Sequence, residues 1–408
     1  MQWLAQLTPQ IRQYMIVTGN YWAFTLTDGA LRMLVVLYFY GLGHSPLKIA
    51  MLFIFYELFG VITNLIGGWL GAKLGLNKTM NIGLFLQIIA LAMLLLPSEL
   101  LFIPWVMAAQ AMSGVAKDLN KMSAKSSIKL LVPDDTQGQL YKWVAILTGS
   151  KNALKGVGFF LGGGLLSLLG FQGAILVMVC MLTLVWIISL ITLNKDLGKA
   201  KYKPKFTDIL SKSKSVNTLS AARMFLFGAR DVWFVVALPV YLATVFNWEH
   251  WYVGGFLAIW VIGYGIVQGF APKLTGNSKN VKPDGRHAML WAMALATAPA
   301  IIALSLYYQW HIQSVLIVGL LVFGALFAIN SSLHSYLIVS YAGKDGVSLD
   351  VGFYYMANAM GRLIGTVLSG WVYQKHGLLA CLVISTVFII LTAVISIRLP
   401  REQKIILP

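Results

Sequence analysis

Cysteine is nearly absent from this 408-residue chain: Cys180 and Cys381 are far apart, each alone in an apolar run. They can form neither a CxxC site nor a disulfide framework, and a thiol-rich site for a soft metal cation or trivalent metalloid is disfavoured. The six histidines show no HxxxH or HExxH spacing, so no metal centre is expected. Charge is also scarce at 11% of residues, and acidic residues number 14 against 31 basic ones. No GxSxG, Walker A or His-x4-Asp element occurs, and the polar loops are too short to hold a catalytic domain. An enzyme is therefore not expected, and no cofactor is implied. Met1–Gln13 lacks a basic start followed by an apolar run, so no cleavable leader is expected and the first apolar run is retained.

What the chain does have is apolar length. Hydrophobic residues make up 58%, a composition that belongs to a polytopic membrane protein. About 20 apolar residues cross a bilayer core. Twelve runs qualify, at about 14–41, 47–71, 80–97, 101–130, 139–169, 172–193, 216–246, 251–272, 288–307, 312–341, 347–373 and 378–398. The expected fold is an all-α membrane protein of twelve transmembrane helices. Residues 194–215, polar and basic, read as a cytoplasmic linker joining two pseudo-symmetric six-helix bundles, 1–193 and 216–408.

The net charge of +17 could suggest nucleic acid, but its distribution does not. With both termini in the cytoplasm, the inner side collects Arg12, Lys73, Lys78, Lys195, Lys199, Lys201, Lys203, Lys205, Lys212, Lys214, Lys273, Lys279, Lys282, Arg286, Lys344, Arg398, Arg401 and Lys404. Only Lys48 and Lys375 fall outside. That asymmetry is the positive-inside rule. The surface charge sets topology, and nucleic-acid binding is not supported.

Nine cations lie inside the apolar runs: Arg32, Lys117, Lys121, Lys125, Lys151, Lys155, Arg223, Arg230 and Arg362. Only Asp28, Glu57, Asp118 and Asp231 offer opposite charge at comparable depth. A mid-membrane Lys or Arg costs roughly 3 kcal/mol on insertion scales. Most of the nine must therefore face a water-filled cavity or the membrane's edge, and a cavity with that excess suits a multiply charged anion.

Most candidates fall in spans one, four, five and seven. Lys117, Lys121, Lys125 and Lys129 recur every four residues along span four, so they form one slowly drifting stripe. Lys117 and Lys121 read as cavity residues, and Lys125 and Lys129 as side chains reaching the headgroups. Asp118 reads as a local counter-ion. In span five, Lys151 and Lys155 share a face, with Asn152 beside them as a hydrogen-bond donor. Lys155 reads as a cavity cation, or else as the partner of Asp28 or Glu57. Arg32 lies one turn from Asp28, and Arg230 is adjacent to Asp231. A guanidinium grips phosphate or carboxylate with two parallel bonds, so Arg32 and Arg230 could clamp one anionic group. Alternatively, each Arg neutralises its own Asp. Asp28, Glu57 and Asp231 are the candidates for proton coupling. In span ten Asn330, Ser331 and His334 form a polar patch, with Asn330 a candidate substrate ligand. Trp22, Tyr56, Trp233, Trp260 and Tyr264 read as packing or interface residues.

Internal symmetry supports the two-bundle reading. A shift of 207 places Lys155-Gly156-Val157-Gly158 on Arg362-Leu363-Ile364-Gly365, Gly163 on Gly370 and Gly170 on Gly377. A shift of 203 places Phe24, Asp28 and Tyr38 on Phe227, Asp231 and Tyr241. Gly68-Trp69 with Lys73 and Gly75 recurs as Gly370-Trp371 with Lys375 and Gly377. Together these resemble the nested three-helix repeats of major facilitator superfamily transporters. Strips at Gly67/Gly71/Gly75, Gly158/Gly162, Gly265/Gly269 and Gly361/Gly365 give smooth helix faces for close packing. The loop GGWLGAKLGLNKT is similar to that family's gating signature through Gly68, Lys73, Gly75 and Lys78, but Ala72 stands where an Asp is usual. The family's latch between the two halves must therefore be built differently.

The strings NYWAFTLTDGALRMLVVL (20–37), SGVAKDLNKMSAKSSIKLLVPD (113–134), LTGSKNALKGVGFFLGG (147–163) and LSAARMFLFGARDVWFVVALPV (219–240) resemble the ArsJ family of organoarsenical efflux permeases. The resemblance implies export of 1-arseno-3-phosphoglycerate by alternating access, conferring arsenate resistance. It further implies glyceraldehyde-3-phosphate dehydrogenase as functional partner and a multi-pass monomer in the bacterial inner membrane. An exchanger of organic phosphates or phosphate would suit the same cations. An integral-membrane enzyme acting on lipid headgroups is the reading from another class.

Overall fold

A computed structural model describes residues 9–44, 52–131, 139–193, 197–200, 205, 213–248, 250–276 and 282–401. Most of the 194–215 linker lies outside them, as do Lys48, Lys195, Lys201, Lys203, Lys212, Lys279 and Lys404. Among the described residues every regular element is helical. They are α1 (Pro9–Gly41), α2 (Ile54–Leu74), α3 (Leu76–Ala92), α4 (Ile103–Leu131), α5 (Gln139–Thr192) and α6 (Lys214–Phe234). Then follow α7 (Ala237–Thr244), α8 (His250–Leu274), α9 (Gly285–Tyr308), α10 (Ile312–Tyr341) and α11 (Val347–Ser396), with short 3-10 turns after α3.

Nine described helical segments are long and apolar enough to cross a membrane. Two of them are double. α5, at 54 residues, breaks at Gly170 (φ 67°, ψ −178°), and α11, at 50 residues, breaks at Gly377 (φ 73°, ψ −175°). A positive φ with extended ψ is accessible to glycine and strained for any other residue, so each glycine turns the chain between two spans with almost no loop. The repeat shift had paired these two residues. α4 has the length to cross, but the charges at 117, 118, 121 and 125 lower its hydropathy. With α4 and the two breaks included, the described helices supply twelve spans.

The chain divides into two compact units that exchange short segments. The first holds residues 1–134, 150–211 and 342–356, and the second holds 135–149, 212–341 and 357–408. In the first, α1 crosses the first arm of α5 at glycines. A Cβ on Gly158 would sit 2.7 Å from the Leu26 carbonyl, and one on Gly29 would sit 2.7 Å from the Lys155 carbonyl. The second unit repeats this contact between α6 and the first arm of α11. There a Cβ on Gly365 would sit 2.7 Å from the Gly228 carbonyl and 2.9 Å from Asp231 Cβ. Only glycine lets the backbones approach this closely. The crossings fix how Asp28 and Lys155, and Asp231 and Arg362, face each other.

The exchanged segments dock in the same manner. The start of α11 packs on α2, where a Cβ on Gly68 would be 2.5 Å from the Ser348 carbonyl and Ser348 Oγ donates to the Gly68 carbonyl at 2.8 Å. The start of α5 packs on α8, where a Cβ on Gly149 would be 2.5 Å from the Gly265 carbonyl. Gly75 (φ 98°) ends α2 and allows α3 to begin at once.

Candidate functional site

Each unit carries one buried network of charges, and each is organised around carboxylates. In the first unit Asp28 is 5% exposed. It accepts a hydrogen bond from Tyr56 Oη at 2.6 Å and lies 3.8 Å from Lys155 Nζ. Arg32, one turn from Asp28 on α1, makes a contact between helices. Its Nη2 reaches Glu57 on α2 at 3.3 Å, while its guanidinium lies over the rings of Phe53 and Tyr56. The Tyr56 ring therefore contacts two cations, because Lys117 Nζ is 3.8 Å from its centroid. Such contacts stabilise a cation by about 0.5–2 kcal/mol, more when desolvated.

Asp118 is the third anionic centre and is almost fully buried. Lys121 Nζ donates to its Oδ1 at 2.5 Å, and Lys117 Nζ is 3.9 Å from Oδ2. Gly60 on α2 makes room for it, since a Cβ there would be 2.9 Å from Asp118 Oδ2. Lys121 also lies 4.8 Å from the centre of the Tyr355 ring. Lys151 donates to Asn152 Oδ1 at 3.2 Å, and both are half-buried.

The second unit has one carboxylate for three guanidinium groups. Asp231 Oδ1 accepts from Arg230 Nε at 2.6 Å, with Nη2 at 2.5 Å, and Oδ2 accepts from Arg362 Nε at 3.1 Å. The rings of Phe227, Phe234 and Phe327 surround the Arg230 guanidinium at 5.0–5.8 Å. Arg223 is 3% exposed and ties three helices together: Nε donates to Asn358 Oδ1 at 2.8 Å and Nη1 to the Ser331 carbonyl at 3.1 Å. The Lys155–Asp28 and Arg362–Asp231 pairs occupy positions that the two repeat shifts equate.

Several expected residues have other surroundings. Asn330 is fully buried, and its Nδ2 donates to the carbonyls of Trp291 and Leu326, which ties α10 to α9. His334 is also fully buried, and neither ring nitrogen has a hydrogen-bond partner among the described residues. Lys125, expected at the headgroups, is enclosed by protein at 3% exposure. Four residues advance a helix by about 400°, so the lysine stripe turns by about 40° per step and carries Lys125 onto the packed face of α4. Trp233 and Trp260 are packing residues. Trp233 meets Phe323 edge-to-face at 4.9 Å, and Trp260 Nε1 donates to the Leu320 carbonyl.

Tyr56 is the principal site residue that sequence reading set aside. A tyrosine in an apolar helix reads as packing, and its adjacency to Glu57 is the one local signal of a polar site. Of the signature residues, Gly68 and Gly75 have the packing and turn roles described above, and Lys73 stacks over Trp69 at 4.5 Å. Lys78 is exposed near the start of α3. No group of His, Cys, Asp and Glu able to hold a metal occurs among the described residues.

The arrangement suits anions. A carboxylate held by lysine or arginine at 2.5–3.9 Å occupies the position that a substrate oxyanion could take, and the two can compete for the same donors.

Known proteins share this architecture. The human organic anion transporter MFSD10 (TETRAN) superposes with a TM-score of 0.75 at 15% identity, covering 96% of this chain and all of that one. The E. coli fucose:proton symporter FucP gives 0.73 at 12% identity, covering 95% and 98%. The proton:xylose symporter XylE gives 0.74 at 11% identity, covering 94% and 95%. No curated protein matches the sequence itself. The family model described as Major Facilitator Superfamily matches residues 17–283. The chain thus belongs to the Major Facilitator Superfamily and is a multi-pass membrane solute carrier.

Proposed function

We propose that this carrier exports a multiply charged organic anion, 1-arseno-3-phosphoglycerate, by alternating access, and thereby confers resistance to arsenate. One observation carries the reading. At membrane depth, cations outnumber carboxylates in both units: six to three in the first (Arg32, Lys117, Lys121, Lys125, Lys151, Lys155 against Asp28, Glu57, Asp118) and three to one in the second. An uncompensated charge is expensive in that environment, and a multivalent anion removes the cost while it is bound. The resemblance of the four strings to the ArsJ family supplies the arsenic. Likeness of fold to a transporter of organic anions is in keeping with the charge.

In this reading Lys155, Arg362 and Arg230 exchange their carboxylates for substrate oxyanions, with Arg32, Lys117, Lys121, Lys151 and Asn152 completing the cation-rich lining. A carboxylate released by that exchange can take up a proton, which makes Asp28, Glu57 and Asp231 the coupling groups. The carrier acts as a monomer in the bacterial inner membrane with both termini in the cytoplasm, and glyceraldehyde-3-phosphate dehydrogenase supplies the substrate. The same cations suit an organic-phosphate exchanger, which is the second reading.

Growth on arsenate separates the two. Cells with both this chain and the dehydrogenase should tolerate arsenate, and cells with either alone should not. Equal tolerance without the dehydrogenase would remove the arsenylated glycerate from the proposal.

A further inference from the structure

On the outer surface of the first unit, α3 and the second arm of α5 enclose a groove of about 430 Å³. Its walls are Ile82, Phe85, Trp186 and Leu190, and the rings of Phe85 and Trp186 stack with centroids 5.1 Å apart. Ile82, Phe85 and Leu190 are exposed, as side chains that face lipid would be. Asn77, Lys78 and Asn81 close one end. Among the described residues the lining contains no carboxylate.

That polar end is basic. Lys78, in the first turn of α3, and Lys73, in the last turn of α2, are both exposed. A third lysine is brought in by the backbone. Leu76 N–H donates to the Leu197 carbonyl at 2.7 Å and Ala200 N–H to the Ala72 carbonyl at 2.8 Å, so exposed Lys199 is held across the α2–α3 turn. Asn81 Nδ2 donates to the Asn77 carbonyl, while its buried Oδ1 has no hydrogen-bond partner among the described residues. The first turn of α3 adds the positive end of a helix dipole at the same place.

We infer that this groove binds a phospholipid with an anionic headgroup. One acyl chain lies against Phe85 and Trp186, and the phosphate sits among Lys73, Lys78 and Lys199. An apolar groove open to the bilayer is filled by acyl chain whatever the headgroup, so the lysines supply the selectivity. Each basic side chain near an anionic headgroup favours it by about fivefold. The inference is independent of the transported solute.

The test uses the full chain reconstituted in phosphatidylcholine vesicles with increasing brominated phosphatidylglycerol or brominated phosphatidylcholine. The Trp186 signal is the difference between the unsubstituted protein and Trp186→Phe. Brominated phosphatidylglycerol should quench it at a mole fraction at least tenfold lower than brominated phosphatidylcholine. Lys73→Gln with Lys78→Gln should abolish most of that preference. Equal quenching by the two lipids, or a preference that survives the double substitution, would mean ordinary annular lipid and overturn the inference. If Trp186→Phe fails to fold, native mass spectrometry decides. The unsubstituted protein should retain phosphatidylglycerol through detergent exchange and the double lysine variant should lose it; equal retention would overturn the inference.

Discussion

Removing Lys155 and removing Arg362 should have different consequences, although the two are repeat-related. Asp28 is 5% exposed and has Lys155 as its ion-pair partner at 3.8 Å, with Tyr56 donating a neutral hydrogen bond. Stripping one partner from a buried pair costs about 3–5 kcal/mol when the remaining charge is left uncompensated, and Arg32 and Lys117, which also act electrostatically on Asp28, bring the cost toward the lower end. Lys155→Ala should therefore lose both transport and several degrees of thermal stability. Asp231, by contrast, keeps Arg230 at 2.5 Å when Arg362 is removed. Arg362→Ala then forfeits its charge-assisted bond to Asp231, about 1.5–3 kcal/mol, so the fold should persist while transport is lost. The double variant Asp28→Asn, Lys155→Gln should recover most of the stability of Lys155→Ala without recovering transport. Fluorescence-monitored unfolding in detergent reads the first quantity, and uptake into vesicles the second. Transport by the double variant at the unsubstituted rate would refute the reasoning, since Lys155 would then be no more than a structural counter-ion.

Arg230→Lys keeps the charge but loses the two-pronged grip on a substrate oxyanion, so substrate affinity measured by calorimetry should fall roughly tenfold to a hundredfold. Gly158→Ala and Gly365→Ala each place a Cβ 2.7 Å from a backbone carbonyl; overpacking of this kind costs about 1–3 kcal/mol, so both should lower the unfolding temperature. Replacing Cys180 and Cys381 by Ser should leave arsenate resistance unchanged at equal protein levels. Loss of resistance there would point to thiol coordination of trivalent arsenic.

Much of this architecture can be read from the residues, and the parts that cannot have physical causes. Apolar length announces the spans, and α4 is recognisable despite its charges because its lysines keep helical spacing. Gly170 and Gly377 read as equivalent from the repeat, and both are breaks at positive φ. The shifts also align Asp28 with Asp231 and Lys155 with Arg362, and the structure joins each carboxylate to the aligned cation of its own unit. Helix rotation and the neighbour that it selects are less legible. Arg32 shares a face with Asp28 along α1 and also reaches across to Glu57 on α2, a partner that spacing within one helix does not reveal. Tyr56 joins the charge network across helices in the same way. Burial of Lys125 follows from a drift of the lysine stripe that the four-residue spacing contains but that only a packed neighbour makes consequential.

The missing signature Asp has a structural counterpart. Ala72 offers only its carbonyl, to Ala200, while the contact between α2 and α11 is made by Gly68, Gly352 and the Ser348 hydroxyl.

Uptake into inside-out vesicles, comparing 1-arseno-3-phosphoglycerate with 3-phosphoglycerate at equal concentration, tests the transport assignment most directly. Accumulation of the arsenylated compound that requires Lys155 and Arg362, with much slower entry of the purely phosphorylated one, is the predicted result. Equal entry of both would make the chain a general organic-phosphate exchanger, and entry of neither would contradict the anion assignment itself.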